Sequence, residues 1–371
     1  MRQIKKIKIC FVQVHTYSMF NSLSEANIGG TELQLYLLSK ELAKDRRFDV
    51  SFIVGDWGQK EFEVYDGVKV HRSFSLKKRF FNYVKAPIIL WRVLGDVKAD
   101  IYICSAAGPE HVIVAIFSKI FKKKMIYRVA LDDDVVKKQK ALNFGYGILF
   151  RYAVRLADII VCQNNDQLSR LLENYNCQKC VVIRNIAPVV KRKDDRESKD
   201  KSIILWVGRG VALKRPHLFL ELAKNFPKEE FVMIMPPRDI HLFKSIEKEA
   251  RQISNLRLLG QVSFEKTEEY FAKAKIFVNT SFLEGFPNTF LQAANSQIPI
   301  LSSNINPDSF LDSYKCGFCA AGNYEKFLSF FRILTQDNAL RKKMGETAFL
   351  YIRENHDDVK IVKSWKEIFI K

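Results

Sequence analysis

The chain has 371 residues, of which 47% are hydrophobic and 27% charged, so a disordered polypeptide is excluded and two or three folded domains are expected. Lys and Arg outnumber Asp and Glu by 60 to 41, and the net charge of +19 favours acidic partners: nucleic acid, anionic lipid or phosphorylated small molecules. No apolar run reaches the roughly 18 residues of a spanning helix, and the N-terminus predicts a strand rather than a signal peptide. We therefore expect a cytoplasmic protein.

Short apolar strands alternate with helical stretches in the first half of the chain. Nearly continuous apolar runs, typical of parallel strands covered on both faces, predict strands at 7–14, 50–54, 68–72, 101–104, 124–129, 159–162 and 180–183. A helix is predicted at 31–43. This alternation predicts a doubly wound α/β domain over residues 1–190.

A highly charged run, KRKDDRESKDKS, follows at 191–202 and contains no core-forming side chain, which predicts a linker over 191–201. A second α/β domain is predicted over 202–350, and 351–371 is expected to form a C-terminal helix that packs back toward the N-terminal domain. The predicted strands of this half are 202–208, 231–235, 256–260, 275–280 and 299–303. Because such sheets bind ligands at the carboxyl ends of their strands, two facing domains predict a cleft.

The first candidate site is a glycine turn after the first strand. Gly29 and Gly30 let the backbone approach a ligand closely, and Thr31 begins a helix whose exposed N–H groups favour an anion. A Thr-capped helix start without a ligand has the same pattern.

The second candidate site is the loop after the first strand of the second domain. Gly208, Arg209 and Lys214 lie at the carboxyl end of that strand, where two cations can hold a diphosphate without a metal. The alternative is a basic loop that faces solvent.

The third candidate site is the stretch FLEGFPNTFLQ that follows strand 275–280. Glu284 is predicted in a loop and Gln292 in the first turns of a helix, which Asn288 or Thr289 can cap. A single acid in a loop also occurs as an ordinary solvated residue. A second acid at position 292 would have suggested a paired-carboxylate site, but the chain has an amide there.

Two patterns in the sequence have the spacing of metal ligands. Asp132 and Asp134 have the Asp-x-Asp spacing that binds Mg²⁺ or Mn²⁺, and two Cys-x-x-Cys pairs, 177–180 and 316–319, have the spacing of zinc ligands. Because the two pairs are far apart in the chain, buried thiols are the better interpretation. We expect no metal.

Together the three motifs, in this order, resemble those of the family 4 glycosyltransferases with the GT-B fold. That resemblance implies an α/β protein with two Rossmann-like doubly wound domains facing across a cleft. It also implies transfer of a sugar from a UDP- or GDP-type nucleotide diphosphate sugar, with retention of configuration and with no cofactor or metal.

The resemblance also implies roles for individual residues. Arg209 and Lys214 would hold the diphosphate, and Glu284 would hold hydroxyls of the donor sugar. The turn at Gly29, Gly30 and Thr31 would approach the same phosphates from the other domain. The remaining donor-binding residues would be Gly208, Gly285, Phe286, Pro287, Asn288, Thr289 and, at the ribose, Gln292.

Two departures from the family pattern matter. Position 292 is usually acidic in the family, so we expect Gln292→Glu to change mainly the donor KM. The histidine that many members carry near the acceptor is missing from 127–134, where Asp132 or Asp134 could act as a polar or basic group; His15 is another candidate.

Basic and aromatic residues of the first domain favour an anionic membrane surface as a partner. Lys77–Arg79 leads into the stretch 80–94, and Phe121–Lys124 adds a second cluster. An amphipathic core helix and a solvated lysine run would give the same pattern. We expect a protein bound peripherally to the inner face of the cell membrane.

The leading hypothesis is a retaining hexosyltransferase that acts on a glycan or lipid-linked acceptor in cell-surface polysaccharide biosynthesis. The alternative is a catalytically silent subunit of a glycan assembly complex, with Gln292 as a sign of lost activity. Nucleic acid is not expected as a partner, because no recognised nucleic-acid motif accompanies the positive charge.

Overall fold

The chain folds into two compact units. The first unit comprises Met1–Ile186 and Asp358–Lys371, and the second comprises Ala187–Asp357. The predicted C-terminal segment, 351–371, is thus divided between the units at Asp358. The computed structural model describes residues 6–21, 29–76, 80–135, 144–175, 179–187 and 201–370, without the side chains of 80–83 and 144–146. Residues 191–200 of the predicted linker therefore lie outside the described residues.

The first unit contains an eight-stranded sheet in the order β3-β4-β2-β1-β5-β6-β7-β8. All neighbouring strands run parallel except β3, which pairs antiparallel with β4. The strands are β1 (Ile7–Val12), β2 (Phe48–Asp56), β3 (Phe62–Tyr65), β4 (Val68–Ser75), β5 (Ile101–Ser105), β6 (Lys124–Arg128), β7 (Ile159–Cys162) and β8 (Cys180–Val182). Ile9 of β1 pairs with both Val50 of β2 and Ile101 of β5, so β1 is central.

Helices cover both faces of this sheet, which is why its strands are apolar throughout. The helices are α1 (Tyr17–Phe20), α2 (Gly30–Ala43), α3 (Phe80–Val97), α4 (Pro109–Ile120), α5 (Phe144–Leu156), α6 (Asn165–Tyr175) and, at the end of the chain, α14 (Asp358–Ile370). Ile9 and Phe11 pack on the face covered by α2 and α14. Cys10 and Val12 pack on the face covered by α3, α4 and α5.

The second unit contains a fully parallel six-stranded sheet in the order β11-β10-β9-β12-β13-β14. Its strands are β9 (Ile203–Val207), β10 (Glu230–Ile234), β11 (Leu256–Leu259), β12 (Ala274–Asn279), β13 (Ile300–Ser302) and β14 (Gly317–Cys319). Its helices are α7 (His217–Asn225), α8 (Ile240–Ala250), α9 (Phe264–Lys273), α10 (Asn288–Asn295), α11 (Phe310–Ser313), α12 (Tyr324–Gln336) and α13 (Asn338–Asn355).

The core of the second unit also has two layers. Ile204 and Trp206 pack with residues of α7, α8 and α12, whereas Ile203 and Leu205 pack with residues of α9, α10 and α13. Each unit is therefore a doubly wound α/β fold, and the predicted fold class is confirmed for both. Among the described residues, no helix is both long and apolar enough to cross a bilayer.

All predicted strands are present, but two strands were not predicted. The strand β3 is half exposed and pairs with β4 through the turn Asp66–Gly67, in which both residues have positive φ angles of 49° and 82°. An Asp-Gly dipeptide between two short strands is a hairpin signal that the sequence did contain. The other missed strand, β14, has only three residues.

Candidate functional site

The second unit has a topological switch point between β9 and β12. From β9 the chain moves outward to β10 and β11, and it then returns to place β12 on the other side of β9. The loops that follow these two strands therefore leave the sheet at its carboxyl edge in neighbouring positions. Parallel sheets bind their ligands at such points.

The loop after β9 is shaped by two glycines. A Cβ atom on Gly208 would lie 2.8 Å from the ring of Trp206, and one on Gly210 would lie 3.3 Å from the carbonyl oxygen of Pro236. Between them Arg209 is exposed and forms no ion pair with any residue that the structure describes. A guanidinium group is therefore available to a ligand at this edge.

Hydrogen bonds join the loop after β9 to the loop after β12. The indole Nε1 of Trp206 donates to Thr280 Oγ1 at 2.8 Å, and that hydroxyl donates to the carbonyl oxygen of Lys214 at 2.6 Å. The amide of Phe282 donates to the carbonyl oxygen of Leu213 at 2.8 Å. The two loops thus form one structure.

Arg215 strengthens the same connection. Its backbone is left-handed, with φ of 45°, and its guanidinium donates to the carbonyl oxygen of Thr280 at 2.8 Å and to Ser303 Oγ at 2.8 Å. Partial burial lowers the pKa of Arg215. This second arginine of the loop therefore has a structural role, unlike Arg209.

The predicted diphosphate and sugar residues contact each other directly. Lys214 Nζ forms an ion pair with Glu284 Oε1, and the hydroxyl of Ser281 donates to the same oxygen at 2.8 Å. The two charged side chains are only 18% and 12% exposed. Residues 70 positions apart in the sequence are thus brought together at the switch point.

The rest of the third motif forms the start of α10. Gly285, Phe286 and Pro287 are buried, and the ring of Phe286 packs 4.7 Å from that of His356. The expected cap by Asn288 or Thr289 is wrong, because Pro287 is the N-cap residue and no side chain caps the helix. The backbone of this helix start, rather than its side chains, is therefore the part suited to an anion.

The amide at position 292 has a partner that the sequence did not reveal. Gln292 is 6% exposed, and its Nε2 donates to Glu268 Oε1 of α9 at 2.6 Å. Glu268 is itself 7% exposed. The only signal in the sequence was its spacing: Glu268 lies three residues before the buried Phe271, on the apolar side of α9.

The first unit has its own switch point between β1 and β5. After β1, Gly29 is the N-cap residue of α2, Gly30 is its exposed first residue, and Thr31 is half-buried and does not cap the helix. After β5, Glu110 lies in the first turn of α4; burial raises the pKa of its carboxyl group, and the nearby Glu32 raises it further. Glu110 and Glu32 are buried acids that the sequence analysis did not single out.

The acids after β6 have different environments. Asp132 accepts a hydrogen bond from Gln167 at 3.0 Å and pairs with Arg170 at 2.8 Å, yet burial raises its pKa to about 6. Asp134 accepts from the hydroxyl of Tyr127 at 3.0 Å and from the amide of Ala130 at 2.9 Å, which fixes the loop. Burial also raises the pKa of Asp134, against the hydrogen bonds that its carboxylate accepts.

The histidine candidate, His15, is half-buried, as Asp132 is. His15 lies with its ring 6.2 Å from that of Trp57. His111 is 1% exposed and packs its ring 4.4 Å from that of Tyr127, and burial lowers its pKa to about 3. His111 is therefore a neutral core residue.

In the described part of the chain, no group of three or more His, Cys, Asp or Glu side chains is placed so that it could hold a metal ion. Cys177 lies outside the described residues. Cys316 is buried, which raises the pKa of its thiol to about 12 and leaves it protonated.

The structure has two doubly wound α/β units, with charged loops at a switch point. Comparisons with known proteins agree with this fold class. Residues 190–350 match the family model described as Glycosyl transferases group 1. The sucrose-phosphate synthase of Thermosynechococcus elongatus superposes with a TM-score of 0.80 over 98% of both chains at 13% sequence identity. The fold is therefore GT-B.

Two curated relatives cover most of the chain. An uncharacterized glycosyltransferase of Methanocaldococcus jannaschii is 25% identical, over 92% of this chain and 95% of the relative. An α-1,4-N-acetyl-D-galactosaminyltransferase of Campylobacter jejuni, named for a PP-undecaprenol-linked acceptor, is 22% identical, over 76% of this chain and 78% of the relative. These matches support a glycosyltransferase role.

Proposed function

We propose that the protein is a retaining, metal-independent hexosyltransferase. It transfers a sugar from a UDP- or GDP-type nucleotide diphosphate sugar to a glycan or lipid-linked acceptor in cell-surface polysaccharide biosynthesis. The observation that supports this proposal best is the ion pair between Lys214 and Glu284 at the switch point of the second unit, beside Arg209.

The pair suggests how the donor binds. A diphosphate attracts Lys214 more strongly than one carboxylate does, because it carries more negative charge at a similar distance. Arg209 and the uncapped start of α10 add donors for the same phosphates. The released carboxylate of Glu284 then accepts hydrogen bonds from hydroxyls of the donor sugar. Gly208 and the backbone of Gly285–Thr289 would line the donor site.

The same groups account for the proposed chemistry. As the bond between sugar and diphosphate breaks, negative charge grows on the leaving phosphate, and Arg209 and Lys214 neutralise it. Two cations beside the leaving phosphate can do this without a metal ion. Retention of configuration rests on the resemblance to family 4.

The acceptor is proposed to bind at the switch point of the first unit. Asp132 is a candidate to accept the proton of the attacking hydroxyl, because burial raises its pKa to about 6 and so makes the carboxylate a stronger base. The relative from Campylobacter jejuni, whose name specifies a PP-undecaprenol-linked acceptor, supports a lipid-linked acceptor. We propose accordingly that the enzyme works as a peripheral protein on the inner face of the cell membrane.

The test begins with a panel of UDP-, GDP- and ADP-sugars, whose slow hydrolysis by the protein is followed by mass spectrometry. Lys214→Gln, Glu284→Gln and Arg209→Gln should each lower turnover by roughly a hundredfold or more, as the loss of a group that stabilises developing charge does elsewhere. Lys224→Gln is the matched control. Lys224 lies outside these loops and forms an exposed ion pair with Glu249, at a distance of 2.8 Å.

The outcomes separate the alternatives. Turnover at the wild-type rate in folded Lys214→Gln and Glu284→Gln would disprove the assignment of the site. Failure of the wild type to bind any of the nucleotides in calorimetry would favour the catalytically silent subunit. Activity that EDTA abolishes would contradict metal independence, and the anomeric coupling constant of the product, measured by NMR, tests retention.

A further inference from the structure

Three neighbouring helices of the first unit expose apolar side chains on one surface. The middle helix, α4, packs against both α3 and α5, and all three cover the same face of the sheet. Each helix has an exposed apolar pair one turn apart. The pairs are Val84 and Ile88, Ile116 and Ile120, and Ile148 and Tyr152, with exposures between 40% and 69%. We call this surface the α3–α5 face.

Single exposed apolar residues are normal on a protein surface, but this surface concentrates them. Ile89, Phe121 and Leu149 are also exposed on the same three helices or directly after α4. Leu90, Phe117 and Ala153 fill the core beneath them. Phe121 packs its ring 4.5 Å from that of Phe117 and 6.1 Å from that of Trp91, so it contributes to the contact between α3 and α4. The other exposed apolar residues of these helices belong to neither core cluster of this face.

Basic residues lie among these apolar side chains. Within the described parts of the three helices and the turn after α4, Asp96 is the one exposed acid, and it lies 3.8 Å from Arg92. The exposed bases of the same segments are Lys85, Arg92, Lys119, Lys122 and Arg155. Apolar pairs with interleaved bases are typical of surfaces that lie in the headgroup region of a bilayer.

A lysine-lined cavity of about 890 Å³ lies beside this face. It is formed at the amino ends of β6, β7 and β8, at the opposite edge of the sheet from the predicted acceptor residues. Among the residues that the structure describes, its lining includes Lys119, Lys122, Lys123, Lys124 and Lys179 and a single acid, Asp158. We call it the lysine cavity.

Most of these lysines are available to a ligand. Lys124 Nζ donates to the carbonyl oxygen of Ile368 at 2.7 Å, and Lys123 lies 4.0 Å from Asp100. Lys119, Lys122 and Lys179 form no ion pair with the part of the chain that the structure describes. The carboxylate of Asp158 already accepts a hydrogen bond from the backbone amide of Met125, at 2.8 Å. The cavity therefore suits a phosphate group.

We propose that the α3–α5 face docks on an anionic bilayer, with its apolar pairs in the interface and a lipid phosphate in the lysine cavity. The inference deepens the proposed membrane association and does not depend on the transfer chemistry. It also adds α5 and Lys179 to the basic segments identified in the sequence, of which Lys77–Arg79 lies outside the described residues.

A lipid surface fits better than other occupants. A second copy of the chain docked through the same face would place like charges opposite each other, because a two-fold contact pairs one surface with itself. Single-stranded nucleic acid binds through stacking on aromatic rings, whereas the exposed pairs here are mainly Val and Ile. An anionic bilayer satisfies both the apolar residues and the bases.

Vesicle flotation of the full chain tests the proposal, without donor or acceptor. The wild type should float with vesicles of equal parts phosphatidylcholine and phosphatidylglycerol, but not with phosphatidylcholine alone. Lys119→Gln/Lys122→Gln should weaken vesicle binding by at least tenfold, because each base contributes a factor of about five. Ile88→Ser/Ile120→Ser/Leu149→Ser should weaken it by more than tenfold.

Matched variants of the second unit serve as controls. Lys342→Gln/Lys343→Gln removes two exposed helical lysines, and Leu350→Ser removes an apolar side chain that is 66% exposed. Both should bind vesicles like the wild type. Because every variant here leaves the donor loops intact, hydrolysis of the soluble nucleotide sugar should stay unchanged, so a failure of docking and a failure of the proposed chemistry are distinguishable.

Three results would overturn the proposal. The first is equal flotation of the wild type and the α3–α5 variants. The second is saturable binding of inorganic phosphate to the lysine cavity without any vesicle binding, which would make it a site for a soluble anion. The third is a concentration-dependent dimer that the apolar variant abolishes in the absence of vesicle binding.

Discussion

Gln292 is the residue whose role changes most when the structure is compared with the sequence. Its amide donates to the buried carboxylate of Glu268 at 2.6 Å, so an amide at this position stabilises a buried acid. The amide at position 292 is therefore explained by this contact, without assuming that the protein has lost activity. The pair is local to α9 and α10.

Replacing Gln292 by Glu would place two carboxylates in contact in a buried position. We expect the pair to share one proton, which raises the folded-state pKa above its unfolded value of about 4.3. Such a group favours the folded state at low pH and loses that advantage as the pH rises. Gln292→Glu should thus be less stable than the wild type by about 1–3 kcal/mol at pH 8, with a smaller difference at pH 5. Urea unfolding at both pH values measures this.

The swapped variant Glu268→Gln/Gln292→Glu is the control, because it restores one amide and one acid at the same two positions. This double variant should regain most of the stability that Gln292→Glu loses. Its stability should also no longer show the added pH dependence. Donor KM measured on both variants then tests the expected effect on nucleotide affinity apart from stability. Equal stability of Gln292→Glu and the wild type at pH 8 would contradict the argument.

At the level of single residues, the sequence supported the choice of Arg209, Lys214 and Glu284, because their loops follow buried strands. It could not show that Lys214 and Glu284 pair, since 70 positions separate them and only the sheet order places β12 next to β9. Glu268 was missed for a similar reason. A charged residue in an amphipathic helix looks solvated until its tertiary partner is known.

At the level of elements, Thr280 joins the loops that carry the candidate site. Thr280→Val keeps the shape but leaves the indole N–H of Trp206 buried without its acceptor and removes the donor to Lys214. We expect a loss of about 1–3 kcal/mol in the free energy of unfolding and a weaker affinity for UDP or GDP. Thr280→Ser, which keeps the hydroxyl, should resemble the wild type in both. A valine variant that binds nucleotide as tightly as the serine variant would show that the connection does not position Lys214.

The strands were the most predictable elements, because each central strand is a run of apolar residues buried on both faces. The helical surface was less predictable. The exposed residues of α5, Ile148 and Tyr152, are of types that also occur in the core-facing side of a helix. Only the packing of α4 against α5 shows which side of α5 faces outward.

At the level of the whole molecule, the chain completes its first unit with its last helix. Trp365 of α14 is 2% exposed and belongs to the same core cluster as Ile9 of β1, and Lys366 pairs with Asp45 at 2.8 Å. Hydrogen bonds from Arg47 and from Lys366 lower the pKa of the Asp45 carboxylate. The stability of the first unit thus depends on residues that follow the whole second unit in the sequence.

Trp365→Ala should therefore destabilise the first unit by about 3–5 kcal/mol, the usual cost of removing a large core side chain. Native-state hydrogen exchange should show the loss in β1 and β2, while β9 and β12 keep their protection, because each unit has its own core clusters. Phe331→Ala, which removes a fully buried ring of the second unit, is the reciprocal control and should expose β9 and β10 instead. Equal loss of protection in both units from either change would mean that the chain unfolds as a single cooperative body, despite its division into two compact units.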